Sequence, residues 1–210
     1  LWALDLPGFG DSDLPAGVAD ADDLVPYVAE ILKQTFDGVA VDVMGFSFGA
    51  MTAGLVAADR PSLIRQLVLV GAPGLGLFGR DLPMRGMQPD MDEAAQRVVH
   101  EHNLNTMMFA HADTVSNDVV DLQQANVARD RLRRRRIART DVLVRAQTQW
   151  TCPVHGVWGE FDALYTGRLK QVPQILSRLD SFSVVPDAGH WVMFERADAF
   201  HAVVDPLLRR

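Results

Sequence analysis

One cysteine, Cys152, stands in 210 residues, which excludes an internal disulfide framework and fits a reducing compartment. No apolar run approaches the ~18 residues that a membrane helix needs, and no signal-peptide pattern is visible. Positive charge is in deficit. With 20 Lys and Arg against 27 Asp and Glu, the net charge is −7, so neither nucleic acid nor an acidic membrane is the expected partner. The six histidines lack metal-ligand spacing, and no phosphate-cradling glycine loop is present. These absences leave, as the expectation, a cytoplasmic protein acting on a small molecule with no metal and no cofactor. Oligomeric state is not readable from the sequence.

What is present is organised around Val41-Asp42-Val43-Met44-Gly45-Phe46-Ser47-Phe48-Gly49-Ala50. Alternating β-branched residues run into Gly-x-Ser-x-Gly, and a nearly polar-free segment, Ala50 to Ala58, follows at once. The pattern predicts a strand, a sharp turn and a buried helix, with the serine at the turn. Gly45 and Gly49 are expected to permit a bend that a Cβ would obstruct. The Phe48 N–H, just inside the helix, is the candidate donor to a developing oxyanion.

In order, Leu1 to Leu6 reads as a buried strand stopped by Pro7-Gly8-Phe9-Gly10. Asp22 is the expected cap of a helix with Leu24, Val28, Ile31, Leu32 and Phe36 on one face and Pro26 in its first turn. Leu67 to Val70 is a third strand. This β-α-β-α-β alternation predicts an α/β protein, a mostly parallel sheet flanked by helices, with ligands beyond the C-terminal strand ends. From Leu75 to Gln149 the strand signal disappears, and helices are expected over 92–109 and 117–147. Residues 75–150 therefore read as an inserted helical cap between two parts of one core, 1–74 and 151–210. Alternation resumes with the strand 153–159, a helix over about 167–179, the strand 182–185 and a last helix carrying Phe200, Val203, Val204, Leu207 and Leu208. Seven arginines lie between Arg129 and Arg139, without the interleaved aromatics that would stack bases. They are expected to form a solvated face paired with acids such as Asp130 and Asp141.

A serine hydroxyl needs a base within hydrogen-bonding reach, and the base needs an orienting acid. Ser47, Asp162 and His190 each fall in a loop after a different strand. Glu160 and Asp187 compete with Asp162 as the orienting acid. His100, His102, His111, His155 and His201 are expected to be structural or solvent-facing.

The segments Asp5-Leu6-Pro7-Gly8-Phe9-Gly10-Asp11-Ser12, Gly45-Phe46-Ser47-Phe48-Gly49, Gly159-Glu160-Phe161-Asp162 and Gly189-His190-Trp191, in that order, resemble an α/β-hydrolase-fold enzyme of the serine-nucleophile branch. The resemblance implies Ser47 as nucleophile, His190 as general base and acid, and Asp162 as the acid that fixes the imidazole tautomer. It also implies three further strands ahead of Leu1, one of them followed by a second oxyanion donor. The chain therefore reads as N-terminally incomplete by about fifty residues or more. The segment Gly189 to Asp198 is similar to the region around the base in meta-cleavage-product hydrolases, which split a carbon–carbon bond in 2-hydroxy-6-oxo-dienoates. Phe46 and Trp191 are then substrate-binding candidates, with Arg129 or Arg131 for the substrate carboxylate. A carboxylesterase acting on small esters is the alternative, and a non-catalytic binding protein of the same fold is the alternative from another class.

Overall fold

The computed structural model describes residues 1–77, 81–132 and 134–208. Arg133, one of the seven arginines, and residues 78–80 of the expected cap lie outside them. The chain divides into two compact units: Leu1–Leu77, Arg129–Val157 and Lys170–Ser183 form the first, and Phe78–Ala128, Trp158–Leu169 and Val184–Arg210 the second.

The first unit is built on a four-stranded sheet of order β1-β2-β3-β4, formed by β1 (Val41–Phe46), β2 (Ile64–Val70), β3 (Val154–Gly159) and β4 (Ser181–Val185). Strands β3 and β4 continue into the second unit by their last two residues. β1 pairs with β2 and β2 with β3, both in parallel, with Phe46 opposite Val70 and Val70 opposite Val157. Each residue of β3 is buried, as is β2 apart from Arg65, the continuous apolar pattern of strands covered on both faces.

Helix α1 (Ala21–Thr35) starts two residues earlier than the sequence suggests. Its cap is Asp20, not Asp22: the Asp20 carboxylate accepts from Ala21 N–H, while Asp23 reaches back to the Asp20 N–H in a capping box. Asp20 wins because its second oxygen also accepts from the Arg136 N–H at 2.7 Å, which buries and orients it. Pro26 consequently falls in the helix interior rather than the first turn.

Helix α2 (Phe48–Asp59) is apolar on every side and buries Ala50, Met51, Ala53, Val56 and Ala57, as expected of a core helix. Its face at Gly54 is closed by Leu143 and Trp150. The Trp150 indole donates to the Gly54 carbonyl at 2.8 Å, and a Cβ at Gly54 would meet Leu143 at 2.7 Å.

Three sequence expectations fail here. Leu1–Leu6 is not a strand: it has no ladder partner among the described residues, and Leu1, Trp2 and Leu4 are exposed. An apolar run becomes a strand only beside a free edge that it can pair with. The helix over 117–147 is also absent as a single element. α4 (Asn117–Ala128) ends before the arginines, and α5 (Val142–Ala146) is one turn beyond them. Between them the backbone donors are taken by other partners: Arg131 N–H goes to the Gly8 carbonyl and Arg136 N–H to Asp20. The helix over 167–179 shrinks to α6 (Val172–Ile175) and short flanking turns, because Gly167 takes a left-handed φ of 72° and Pro173 removes a donor.

In the second unit, α3 (Glu93–Asn103) is capped by Asp92, which accepts from the Ala95 N–H at 2.8 Å. It widens into a π turn over Leu104–Met108, closed by Phe109 N–H on the Leu104 carbonyl. Leu104, Phe109, Val119 and Val120 make its apolar centre, with Met108, Val115 and Trp191 packed against them. α7 (Val192–Glu195) and α8 (Ala197–Leu208) end the chain, α8 burying Phe200 and Val204. No helix among the described residues is long and apolar enough to cross a membrane.

Candidate active site

The turn after β1 is formed as the sequence predicts. Ser47 takes φ 49° and ψ −119°, a backbone region that only glycine enters without strain. Two sets of hydrogen bonds hold it there: its N–H donates to Val70 O at 2.8 Å, and its carbonyl accepts from Ala50 and Met51. Gly45 permits the bend, since a Cβ there would sit 2.4 Å from Gly49 O and 2.6 Å from Ala50 N. Gly49 does not share that role. A Cβ on it would meet nothing within 4 Å, which corrects the expectation that both glycines relieve a clash.

Phe48 is the first residue of α2, where an N–H has no intrahelical acceptor and sits at the positive end of the helix dipole. Its half-buried ring lies 5.6 Å from Phe9, and the Arg135 guanidinium stands 5.3 Å from it. Phe46 is half-buried at the end of β1.

In the second unit Asp162 and His190 are brought together. His190 Nδ1 lies 2.8 Å from Asp162 Oδ2, with side-chain exposures of 1% and 0%. The second carboxylate oxygen, Oδ1, accepts from the Leu164 N–H at 3.0 Å. Nδ1 is thus the ring nitrogen that faces the carboxylate, and Nε2 is the one turned away from it. Burial, and then the Asp162 charge, push the Tyr165 phenol well above its usual range.

The His190 loop is held by close backbone approach. A Cβ on Gly159 would lie 2.0 Å from Gly189 O, and one on Gly189 would lie 2.6 Å from Ala110 N. Phe161 N–H donates to Ala188 O, and Trp191 N–H to Met108 O. Trp191 stacks with Phe109 and Phe194 at centroid distances of 5.6 and 5.2 Å.

The competing acids are occupied elsewhere. Asp187 binds His111 Nε2 at 2.7 Å and the Arg196 guanidinium, and Glu160 accepts from the Asp187 N–H. Of the other histidines, His155 is buried on Ser181 and His102 faces Pro83 O. His100 is buried, which pushes its pKa down, with help from the Arg97 charge. Among the described arginines of the run, Arg129, Arg134, Arg135, Arg136 and Arg139 are exposed; Arg135 binds Asp130, and Arg129 lies 3.6 Å from Asp11. Arg131 instead donates to the carbonyls of Gly10 and Ser12.

One buried acid escaped the sequence reading. Glu195 is 8% exposed and accepts from the N–H groups of Gly189, Ala110 and His111. Its only sequence signal is a carboxylate in an apolar stretch five residues past His190.

A family model described as "Alpha/beta hydrolase family" matches residues 1–203. The chain belongs to the alpha/beta hydrolase family. Solved structures agree on the fold. A thermophilic esterase superposes with a TM-score of 0.71 at 22% identity, over 97% of this chain and 78% of that one. A meta-cleavage product hydrolase from Pseudomonas fluorescens gives 0.70 at 18% identity, over 95% and 75%. The thioesterase domain from the curacin biosynthetic pathway gives 0.64 at 16% identity, over 95% and 78%. This alpha/beta hydrolase thus spans about three quarters of each of those chains.

Proposed function

We propose that the chain is a serine hydrolase in which Ser47, His190 and Asp162 act as a catalytic triad. The observation that carries this reading is the buried His190–Asp162 pair at 2.8 Å. An imidazole oriented through Nδ1 is a base at Nε2, the arrangement with which a triad takes the proton of its nucleophile. In this reading Ser47, held by its turn at the N-terminus of α2, is that nucleophile.

In the reaction His190 Nε2 takes the Ser47 hydroxyl proton as Oγ bonds to the substrate carbonyl carbon. The carbonyl electron pair moves onto oxygen, and the Phe48 N–H donates to the oxyanion. Collapse breaks the bond to the leaving group, which receives the proton from His190. Water then attacks the acyl group by the same steps, releasing the acid and Ser47.

The substrate we propose is a 2-hydroxy-6-oxo-dienoate-type acid, cleaved at a carbon–carbon bond after its 2-hydroxyl proton has moved to C5, so that the 2-oxo group takes up the electron pair of the departing carbon as a dienolate. Support comes from the Gly189–Asp198 segment and from the likeness to a meta-cleavage product hydrolase. In this reading residues 75–150 act as the cap that selects substrate, with Phe46 and Trp191 contributing apolar contacts. Arg129 is the candidate for the substrate carboxylate, since Arg131 is engaged with backbone carbonyls. The likeness to an esterase favours small carboxylic esters as the second reading.

The deciding experiment compares turnover of p-nitrophenyl acetate with that of a 2-hydroxy-6-oxo-dienoate, using Ser47→Ala as control. Dienoate cleavage well above ester cleavage supports the carbon–carbon reading, and ester turnover alone selects the esterase. Turnover that persists in Ser47→Ala overturns the triad. Absence of fluorophosphonate labelling in the wild-type protein would favour a non-catalytic binding protein.

A further inference from the structure

We infer that Glu195 is the positioning residue for His190, acting through the backbone of the loop that carries it. The inference rests on the reading of His190 as the general base. Glu195 ends α7, the single turn that begins directly after Trp191. Its Oε2 accepts from the Gly189 N–H at 2.6 Å, one residue ahead of His190. Its Oε1 accepts from the N–H groups of Ala110 and His111, both at 2.9 Å. One buried carboxylate therefore joins the His190 loop to the chain that leaves the π turn.

Three backbone donors converging on a carboxylate withdrawn from water form charge-assisted bonds, about twice as strong as neutral ones. The charge is what the site requires. Both oxygens accept, so a glutamine must turn its amide NH2 against a backbone N–H whichever way it is placed. The arrangement also has little slack, because a Cβ on Gly189 would meet Ala110 N at 2.6 Å and Met108 O at 2.8 Å. A loop this close to the 108–111 segment has its separation set by the groups that bridge the two. Glu195 is one of those groups, with the Trp191 N–H on Met108 O and the outer His111–Asp187 pair. The adjacent cation in the sequence, Arg196, sends its guanidinium to Asp187 and to the Glu195 backbone carbonyl. It does not replace the backbone donors.

Moving His190 relative to its partners by about 1 Å affects proton transfer more than substrate binding. Glu195→Gln is expected to lower kcat by about 10²-fold, the cost typical of a misplacement near 1 Å, with KM nearly unchanged. The low-field proton resonance of the His190 Nδ1–H, held by Asp162, is expected to shift or broaden beyond detection in the variant. Circular dichroism reports whether the fold is retained. An unchanged resonance and an unchanged kcat in a folded Glu195→Gln protein overturn the inference. Should that variant not fold, hydrogen exchange on the wild-type protein decides: slow exchange at the Gly189, Ala110 and His111 amides supports the clasp, and fast exchange at all three overturns it. Neither the resonance nor the exchange rates depend on turnover. A wild-type protein that fails to label with a fluorophosphonate therefore fails the hydrolase reading separately, while the role of Glu195 at His190 is still measured.

Discussion

The Asp162 carboxylate is divided between two donors: Oδ2 lies 2.8 Å from His190 Nδ1, and Oδ1 accepts from the Leu164 N–H at 3.0 Å. The second bond caps the short turn after β3 and fixes which oxygen faces the imidazole. In Asp162→Asn the Leu164 N–H still needs an oxygen, so the amide NH2 is turned toward His190. Nδ1 must then accept rather than donate, which leaves the proton on Nε2 and removes the base. Turnover is expected to fall by about 10⁴-fold, the size of this tautomer error in the triad template. Initial-rate measurements on p-nitrophenyl acetate test it, with a melting curve to show that the variant folds.

The two glycines of the serine turn should respond in opposite ways. Gly45→Ala places a Cβ 2.4 Å from Gly49 O, against backbone that cannot yield without moving the start of α2. A loss of about 3 kcal/mol or more is expected, at the upper end of overpacking costs. Gly49→Ala meets nothing within 4 Å, and alanine in the first turn of a helix is neutral or stabilising by ~0.5 kcal/mol. Ser47 itself is strained at φ 49°, so Ser47→Gly should be more stable than Ser47→Ala by about 1 kcal/mol. Urea unfolding of the four variants measures all three differences.

The strand–serine–helix unit was legible because its determinants are local. Six residues of strand pattern, a glycine at the bend and an apolar helix read the same in isolation as in the fold. Asp162 and His190 were legible because each sits in a short loop just after a readable strand. Leu1–Leu6 was misread because an apolar pattern carries no information about a neighbouring edge. The arginine segment was misread as helix because its N–H groups are claimed by Gly8 and Asp20, more than a hundred residues earlier. Glu195 was missed for a related reason. Two of its three donors, Ala110 and His111, lie over eighty residues away, and nothing in the sequence links the two segments.

Asp187 carries a pH dependence of defined sign. First the hydrogen bond from Arg196, then that from His111, holds its carboxyl below the ordinary range. A carboxylate with a depressed pKa in the folded state stabilises fully above its unfolded value of about 3.9. That contribution is lost as pH falls through the folded value, because the unfolded chain takes up the proton first. In Arg196→Gln the Asp187 titration midpoint should rise toward the ordinary carboxylate value. Carbon-13 NMR titration of the Asp187 carboxyl reads it directly, and an unmoved midpoint would show that Arg196 does not set it.

Arg129 and Arg131 are two residues apart but should separate cleanly. Arg131 donates from its backbone to Gly8 O and from its guanidinium to the carbonyls of Gly10 and Ser12. Removing a charged donor from bonded carbonyls costs about 1.5–3 kcal/mol. Arg131→Ala should therefore lower stability in chemical denaturation by that order, with KM unchanged for a neutral ester and for a dienoate acid alike. Among the described residues Arg129 makes an exposed ion pair, 3.6 Å from Asp11, of a kind that contributes ~0–1 kcal/mol. Arg129→Ala should leave the denaturation midpoint nearly in place and raise KM for the dienoate acid by about tenfold, equivalent to ~1.4 kcal/mol of binding. KM for the neutral ester should not move, since it has no carboxylate to hold. A rise in KM for both substrates would mean that Arg129 shapes the site rather than reading the charge of its ligand.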